Sequence, residues 1–257
     1  MTNVASMLEA AAEVAKLAGD VALSYFGKSP KVEQKADGSP VTIADRSAED
    51  AAREWIERRF PSDGIMGEER AHTRPNAARR WYIDPIDGTK SFIHGVPLWG
   101  TLIAVAEGDS VLAGAAYFPA LADTIAAAIG VGSWWNGARC AVSDVATVAD
   151  ALVLTTGVRF AAAPHRRAAW ERLADSAALA RTWGDCYGYL LVATGRAEVM
   201  VDATMSDWDS AAFLPIITEA GGVFTDWSGR ETGFGKSAIA TNRALADEAR
   251  ELLSVAR

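Results

Sequence analysis

Cysteine is nearly absent: Cys140 and Cys186 are the only two in 257 residues, far apart and with no CxxC neighbour. That spacing argues against a zinc site and against a disulfide scaffold, and is read as two ordinary buried thiols of a reducing compartment. A basic run is missing too. With 25 Lys and Arg against 33 Asp and Glu the formal charge is −8, so nothing would track a phosphate backbone and no nucleic acid polymer is expected as a partner. Small cationic substrates or bound metal ions suit such a chain better. No apolar run is long enough to span a bilayer. The Ala-rich region 102–132 is cut by Glu107, Asp109, Pro119 and Asp123 into pieces too short for a crossing, so no membrane association is expected. Glu9, Glu13, Lys16 and Asp20 interrupt the first apolar-periodic segment, which lacks the basic start and apolar centre of a signal peptide; the cytoplasm is the expected location.

Half of the residues are apolar, enough for one large domain or two intimate subdomains with a substantial core. Apolar residues at helical spacing predict an amphipathic helix over Val4–Phe26 and a second over Ala44–Phe60, stopped by Pro61. Between them the polar segment Lys28–Pro40, with Lys31, Lys35, Asp37 and Gly38, reads as a loop or flexible hairpin. Apolar runs Leu98–Val105 and Val111–Phe118, joined by Glu107-Gly108-Asp109-Ser110, read as a hairpin, and Thr124–Ile129 with Ala138–Ser143 as another. From Ala151 strands and helices alternate: strand Ala151–Thr156, helix Pro164–Leu179, strand Arg181–Trp183, helix Cys186–Thr194 and strand Glu198–Val201. Helix Trp208–Ala220, kinked at Pro215, then strands Val223–Asp226 and Ala238–Thr241 and a helix Arg243–Val255 complete the chain. The expected organisation is one unit over 1–257, with an α+β half (1–147) around a largely antiparallel sheet and an α/β half (148–257).

The stretch Trp81-Tyr82-Ile83-Asp84-Pro85-Ile86-Asp87-Gly88-Thr89 carries the chemistry. Bulky residues favour a strand up to Asp84, where Pro85 should end it, and Gly88 permits a tight turn presenting Asp87 and Thr89. Two carboxylates held a few ångströms apart repel, and without a cation one takes up a proton. A hard divalent ion relieves this, and Mg²⁺ prefers oxygen ligands while keeping places for water and phosphate. The same residues also read as an Asp-Pro turn followed by an Asp-Gly turn, which needs no metal. Asp45, in the first turn of its helix, is explained by the helix dipole alone. Glu68 and Glu69 are a solvated loop pair unless something ties them to Asp84 and Asp87. His72 and His94 are set aside because Mg²⁺ prefers oxygen, and Trp134 and Trp135 read equally as core or subunit contact.

Three motifs in order, Gly67-Glu68-Glu69, Asp84-Pro85-Ile86-Asp87-Gly88-Thr89, and Trp208-Asp209 followed by Glu219-Ala220-Gly221-Gly222, make the chain resemble the inositol monophosphatase-like family of Mg²⁺-dependent phosphatases over nearly its full length. The resemblance implies an αβαβα layered sandwich, of α+β and α/β character, shared with fructose-1,6-bisphosphatases. It implies two to three Mg²⁺ per site: one held by Glu68, Asp84 and the Ile86 carbonyl, a second by Asp84, Asp87 and Asp209, and a weaker third near Glu68. Asp45, Thr89 and Glu68 form the implied catalytic set, with Asp45 and Thr89 orienting the attacking water and taking its proton. The backbone amides of Gly88 and Thr89 would hold phosphate oxygens. The family commonly forms homodimers. Arg181 to Gly188, Lys90-Ser91-Phe92 and Gly95 to Thr101 are most similar to the bacterial histidinol-phosphate phosphatase branch. Asp185 and Asp202 are the implied contacts to the substrate's non-phosphate end, where two carboxylates suit a cationic amine and imidazole. The expected activity is hydrolysis of L-histidinol phosphate, a step of histidine biosynthesis. Inositol monophosphate or a 3′-phosphonucleotide is the alternative ester, and a non-catalytic metabolite binder the rival of another class.

Overall fold

The computed structural model describes residues 3–36 and 38–254. Asp37 of the polar loop and Val255 of the expected last helix lie outside the described residues.

Helix α1 (Val4–Leu23) is capped by Asn3, whose side chain accepts the Ser6 amide, and buries a face of Met7, Ala10, Ala11, Val14, Ala15, Ala18 and Ala22. Alanine at so many contact positions brings the helix close to its sheet; a Cβ on Gly19 would strike the Tyr117 ring. The helix stops three residues before the expected Phe26. The short antiparallel pair β1 (Glu33–Gln34) and β2 (Pro40–Val41) follows, then α2 (Ile43–Arg59). Thr42 and Asp45 form a capping box at the start of α2, an arrangement worth about 1 kcal/mol.

The first sheet has seven strands in sequence order: β3 (Gly64–Gly67), β4 (Arg79–Asp87), β5 (Gly100–Glu107), β6 (Ser110–Phe118), β7 (Asp123–Ala128), β8 (Gly132–Trp135) and β9 (Ala138–Arg139). β3 and β4 are parallel and every other neighbouring pair is antiparallel. The β5–β6 hairpin forms as expected, turning at Gly108, whose φ is +59°. The second expected hairpin is corrected: β7 pairs with Gly132–Trp135, which in turn pairs with Ala138–Arg139. Gly130 and Gly132, both at positive φ, make the turn tighter than the reading allowed.

The second sheet, in the order β11-β10-β12-β14-β13, comprises β10 (Leu152–Thr155), β11 (Leu179–Arg181), β12 (Val199–Asp202), β13 (Val223–Thr225) and β14 (Ala238–Thr241). Its helices are α4 (Arg167–Ser176), α5 (Cys186–Ala193), α6 (Asp207–Ser210), α7 (Phe213–Glu219) and α8 (Ala246–Leu253); α3 (Thr89–Ile93) lies between β4 and β5. Leu179, expected as the end of a helix, instead pairs with Leu152 as the first residue of β11. The expected helix over Trp208–Ala220 is split at 211–212 into α6 and α7, because Pro215 has no N–H to give the Ala211 carbonyl.

Strand alternation sorts the core into layers. Ile83, Ile103, Val105 and Ala115 meet α1 and α2. The opposite face, with Tyr82, Leu102 and Phe118, meets α5, α7 and the inner residues Leu154, Met200 and Ala240 of the second sheet. Val153, Val199 and Ile239 on its outer face meet α4 and α8. The order helix, sheet, helix, sheet, helix matches the expected αβαβα sandwich. Seven of the eight residues of α5 are buried, as its place between two sheets requires. Among the described residues no helix is long and apolar enough to cross a membrane.

Candidate active site

The strand β4 does not end at Asp84. It continues to Asp87 through an irregularity between the two, where the register against β5 shifts. Pro85 is tolerated at this irregularity, since the Pro85 carbonyl accepts a hydrogen bond from Thr101 Oγ1 (2.7 Å) and Asp84 Oδ1 accepts the Ile86 amide (3.0 Å). Asp84, Ile86 and Asp87 thereby line one cavity of about 260 Å³, together with Glu68, Gly88, Thr89, Lys90, Asp185 and Asp209.

Each partner is delivered by a different element. Parallel pairing of Gly67 with Ile83 sets Glu68 beside Asp84, and the Glu68 amide donates to the Ile83 carbonyl (3.2 Å). Gly88, at φ +87°, precedes α3 and passes close to the Leu98 carbonyl, so Gly88 and Thr89 open a helix as expected. Asp209 is held in a capping box in which its Oδ2 accepts the Ser206 amide (2.7 Å). Asp45 caps α2 and also reaches Thr89, on the cavity wall. Its Oδ2 accepts the Thr42 amide (2.8 Å) and hydroxyl (2.7 Å), while Oδ1 lies 3.5 Å from Thr89 Oγ1.

Asp185 sits at the N-terminal flank of α5 with φ +49° and ψ −154° and makes no capping hydrogen bond through its side chain. The ordinary helix-cap explanation therefore fails for it; the side chain lines the carboxylate cavity and a smaller one of about 90 Å³ shared with Asp87, Asp202 and Asp209. Asp202 ends β12. Its Oδ2 accepts the Tyr189 hydroxyl (2.9 Å) and Oδ1 the Thr156 amide (3.3 Å). It also borders a cavity of about 520 Å³, which reaches from Lys90 and Thr182 to Phe160 and Thr204.

Electrostatically the site is unbalanced. Burial, reinforced by neighbouring carboxylates, pushes Asp84 and Asp87 far above the usual carboxylate range. Burial also raises Glu68, Asp45, Asp185 and Asp209, and brings Glu69 and Asp202 up to about 7. Lys35, from the β1–β2 loop, reaches in with its ammonium 2.6 Å from Glu68 and in contact with Glu69. Burial works against that charge, yet Glu68 and Glu69 outweigh it and raise the Lys35 pKa. The two ammoniums, of Lys35 and Lys90, do not balance the five clustered carboxylates of Glu68, Asp84, Asp87, Asp185 and Asp209. Among the described residues no three His, Cys, Asp or Glu side chains are drawn into a closed ligand set. The donors nonetheless fit a hard divalent cation: they are carboxylate and carbonyl oxygens around a cavity, and their uncompensated charge is what such an ion removes.

The site holds residues that the sequence motifs did not mark. Lys35 had no motif to mark it, and Tyr189 was one apolar residue among many in α5. Cys186 was expected to be an ordinary thiol. It is buried, but its Sγ lies 3.6 Å from the Asp87 carbonyl, under the cavity, whereas Cys140 is only half-buried. Neither His72 nor His94 enters: His94 Nδ1 contacts the Lys90 carbonyl (2.8 Å), and the His72 ring faces Trp208.

A sequence model of the inositol monophosphatase family matches residues 3–255. A histidinol-phosphatase of Chlorobaculum parvum is 44% identical over 240 residues, 93% of each chain. A histidinol-phosphatase of Mycobacterium tuberculosis is 38% identical over 85% of this chain and 86% of its own. Among solved structures, an inositol monophosphatase from Zymomonas mobilis superposes with a TM-score of 0.87 at 30% identity, covering 98% of this chain and 99% of its own.

Proposed function

Since the chain belongs to the inositol monophosphatase family, we propose that it hydrolyses L-histidinol phosphate to L-histidinol and phosphate with Mg²⁺ as its ion. The observation that carries the hydrolytic part is the shared cavity of Glu68, Asp84, Asp87 and Asp209 with Thr89 on its wall. Glu68, Asp84 and the Ile86 carbonyl would hold one ion, Asp84, Asp87 and Asp209 a second, and Glu68 a weaker third. The bound ions supply positive charge that makes a water more acidic and offsets charge on the phosphoryl oxygens and the departing alkoxide.

The chain's own groups do the rest. The Thr89 hydroxyl, between Asp45 Oδ1 and the Ile86 carbonyl, orients the attacking water and passes its proton to Asp45. The backbone amides of Gly88 and Thr89 hold phosphate oxygens. A P–O bond forms to the water oxygen as the ester P–O bond breaks; the departing alkoxide takes a proton from solvent water and leaves as histidinol, and Asp45 returns its proton to solvent. Asp185 and Asp202 receive the leaving group. Their carboxylates, with Tyr189 fixing Asp202, attract a cationic amine and imidazole more than a neutral polyol. The reading extends to a small phosphorylated metabolite as the partner and a role in histidine biosynthesis, both supported by the names of the two bacterial relatives, and, from the family resemblance alone, to a homodimer in the cytoplasm. Inositol monophosphate as substrate is the second reading, favoured by the likeness to the Zymomonas mobilis structure.

A panel of histidinol phosphate, inositol monophosphate and a 3′-phosphonucleotide, with Mg²⁺ and with EDTA, tests both. Histidinol phosphate should give the highest kcat/KM, and EDTA should abolish turnover. A kcat/KM for inositol phosphate well above that for histidinol phosphate would overturn the substrate, and turnover undiminished by EDTA the mechanism.

A further inference from the structure

Glu49 lies on α2, four residues after Asp45, so the two carboxylates leave the same face of one helix. Its side chain is fully buried, where a carboxylate requires hydrogen-bond partners. Those partners are the backbone of the segment that carries Glu68. Glu49 Oε2 accepts the Glu69 amide at 2.6 Å and Oε1 accepts the Arg70 amide at 3.2 Å. Arg53, one turn along α2, donates Nε to Glu49 Oε1 at 2.7 Å and Nη2 to the Arg70 carbonyl at 3.3 Å, and its Nη1 reaches Thr73 Oγ1 at 3.1 Å. On the other side of Glu68, a Cβ placed on Gly67 would fall on the Glu49 carboxylate. The glycine at the start of the Gly67-Glu68-Glu69 motif is thus the residue that admits Glu49.

We propose that Glu49 is a positioning residue for Glu68: its buried carboxylate receives the amides of Glu69 and Arg70, and so holds the Glu68 side chain beside Asp84. The proposal rests on the reading of Glu68 as a metal ligand. α2 then sets two distances at once, that of Asp45 to Thr89 and that of Glu68 to Asp84, because both are fixed from one rigid face. Groups that orient a metal ligand change affinity for the ion about 10–100-fold when lost.

Glu49→Gln keeps the shape and removes one acceptor oxygen. Mg²⁺ binding to metal-free protein is measured by calorimetric titration, alongside Tm in EDTA and the split of KM against kcat. The expected result is a Mg²⁺ Kd raised about tenfold or more, a parallel rise in the Mg²⁺ needed for activity, and KM for the ester within about twofold of wild type. Asp63→Asn is the control, since Asp63 is a buried carboxylate bound by Arg79 and Trp81 at the far end of β4; it should lower Tm and leave the Mg²⁺ Kd unchanged. An unchanged Kd in Glu49→Gln, or a Kd that shifts equally in Asp63→Asn, would overturn the proposal. If Glu49→Gln does not fold, Gly67→Ala, which displaces the same carboxylate, is measured instead against the same two outcomes. Wild-type protein that binds no Mg²⁺ would remove the ligand reading first, and this inference with it.

Discussion

Thr89 Oγ1 stands between two oxygens, donating to the Ile86 carbonyl at 3.0 Å and lying 3.5 Å from Asp45 Oδ1. The second contact is loose enough to tighten when a water arrives, as catalytic hydrogen bonds commonly do. Thr89→Ala is expected to lower kcat by about 10²-fold or more while leaving Mg²⁺ binding in place. Near-normal turnover in steady-state assays would remove Thr89 from the proton path.

Asp87 is buried among carboxylates that raise its pKa far above the usual range, burial being the largest cause. Asp87→Asn should therefore act in opposite directions on activity and stability. Metal-dependent turnover should be lost, while Tm in EDTA at neutral pH should rise because an amide is neutral there without the cost of holding a proton that the unfolded carboxylate releases. Calorimetry with and without Mg²⁺ checks this: the wild type should gain Tm on adding Mg²⁺, and the variant should gain far less. A variant less stable than wild type in EDTA would contradict the electrostatic account.

Asp185 lines the carboxylate cavity, makes no capping hydrogen bond and has Lys90 as its countercharge. Asp185→Asn is expected to raise KM for an ester whose leaving group is cationic, such as histidinol phosphate, more than for one whose leaving group is uncharged, such as glycerol phosphate, with kcat less affected. Equal KM changes for the two esters would end its role in substrate choice.

Asp202, pushed up to about 7 mainly by burial, gives a pH signature. Between about pH 4, the ordinary carboxylate range, and pH 7 the folded chain keeps a proton that the unfolded chain has released. By linkage this group's contribution to stability falls as pH rises through that window, and is level above it. Metal-free wild type should therefore lose more Tm from pH 5 to pH 7.5 than Asp202→Asn, which keeps an acceptor for the Tyr189 hydroxyl. Parallel Tm curves would place the titration elsewhere.

The layered fold was legible because its cues are local and repeated: alternation along β5 and β6, the alanine stripe of α1, the periodicity of α2. Where the reading slipped, partners distant in sequence decided the outcome. Pro85 looks like the end of a strand, yet Thr101 and the Asp84 carboxylate carry β4 on to Asp87. Leu179 reads as helix and becomes strand because Leu152 offers it a parallel edge. The carboxylates of the site were legible as ordered motifs, whereas Lys35 and Tyr189 sit in unremarkable stretches and acquire meaning only from what they touch. Glu49 is the sharpest case. In sequence it is one acid on a helix surface pattern, and it becomes a buried clamp only because Gly67 leaves room.

At Asp185 the main chain holds a conformation, φ +49° and ψ −154°, that glycine adopts freely and other residues resist at a cost on the order of 1–3 kcal/mol. Asp185→Gly would relieve that cost and remove the carboxylate in one step. On the proposed role of Asp185 in substrate choice, the position trades sturdiness against discrimination, and drift there would lead toward a protein that melts later and chooses its ester less well.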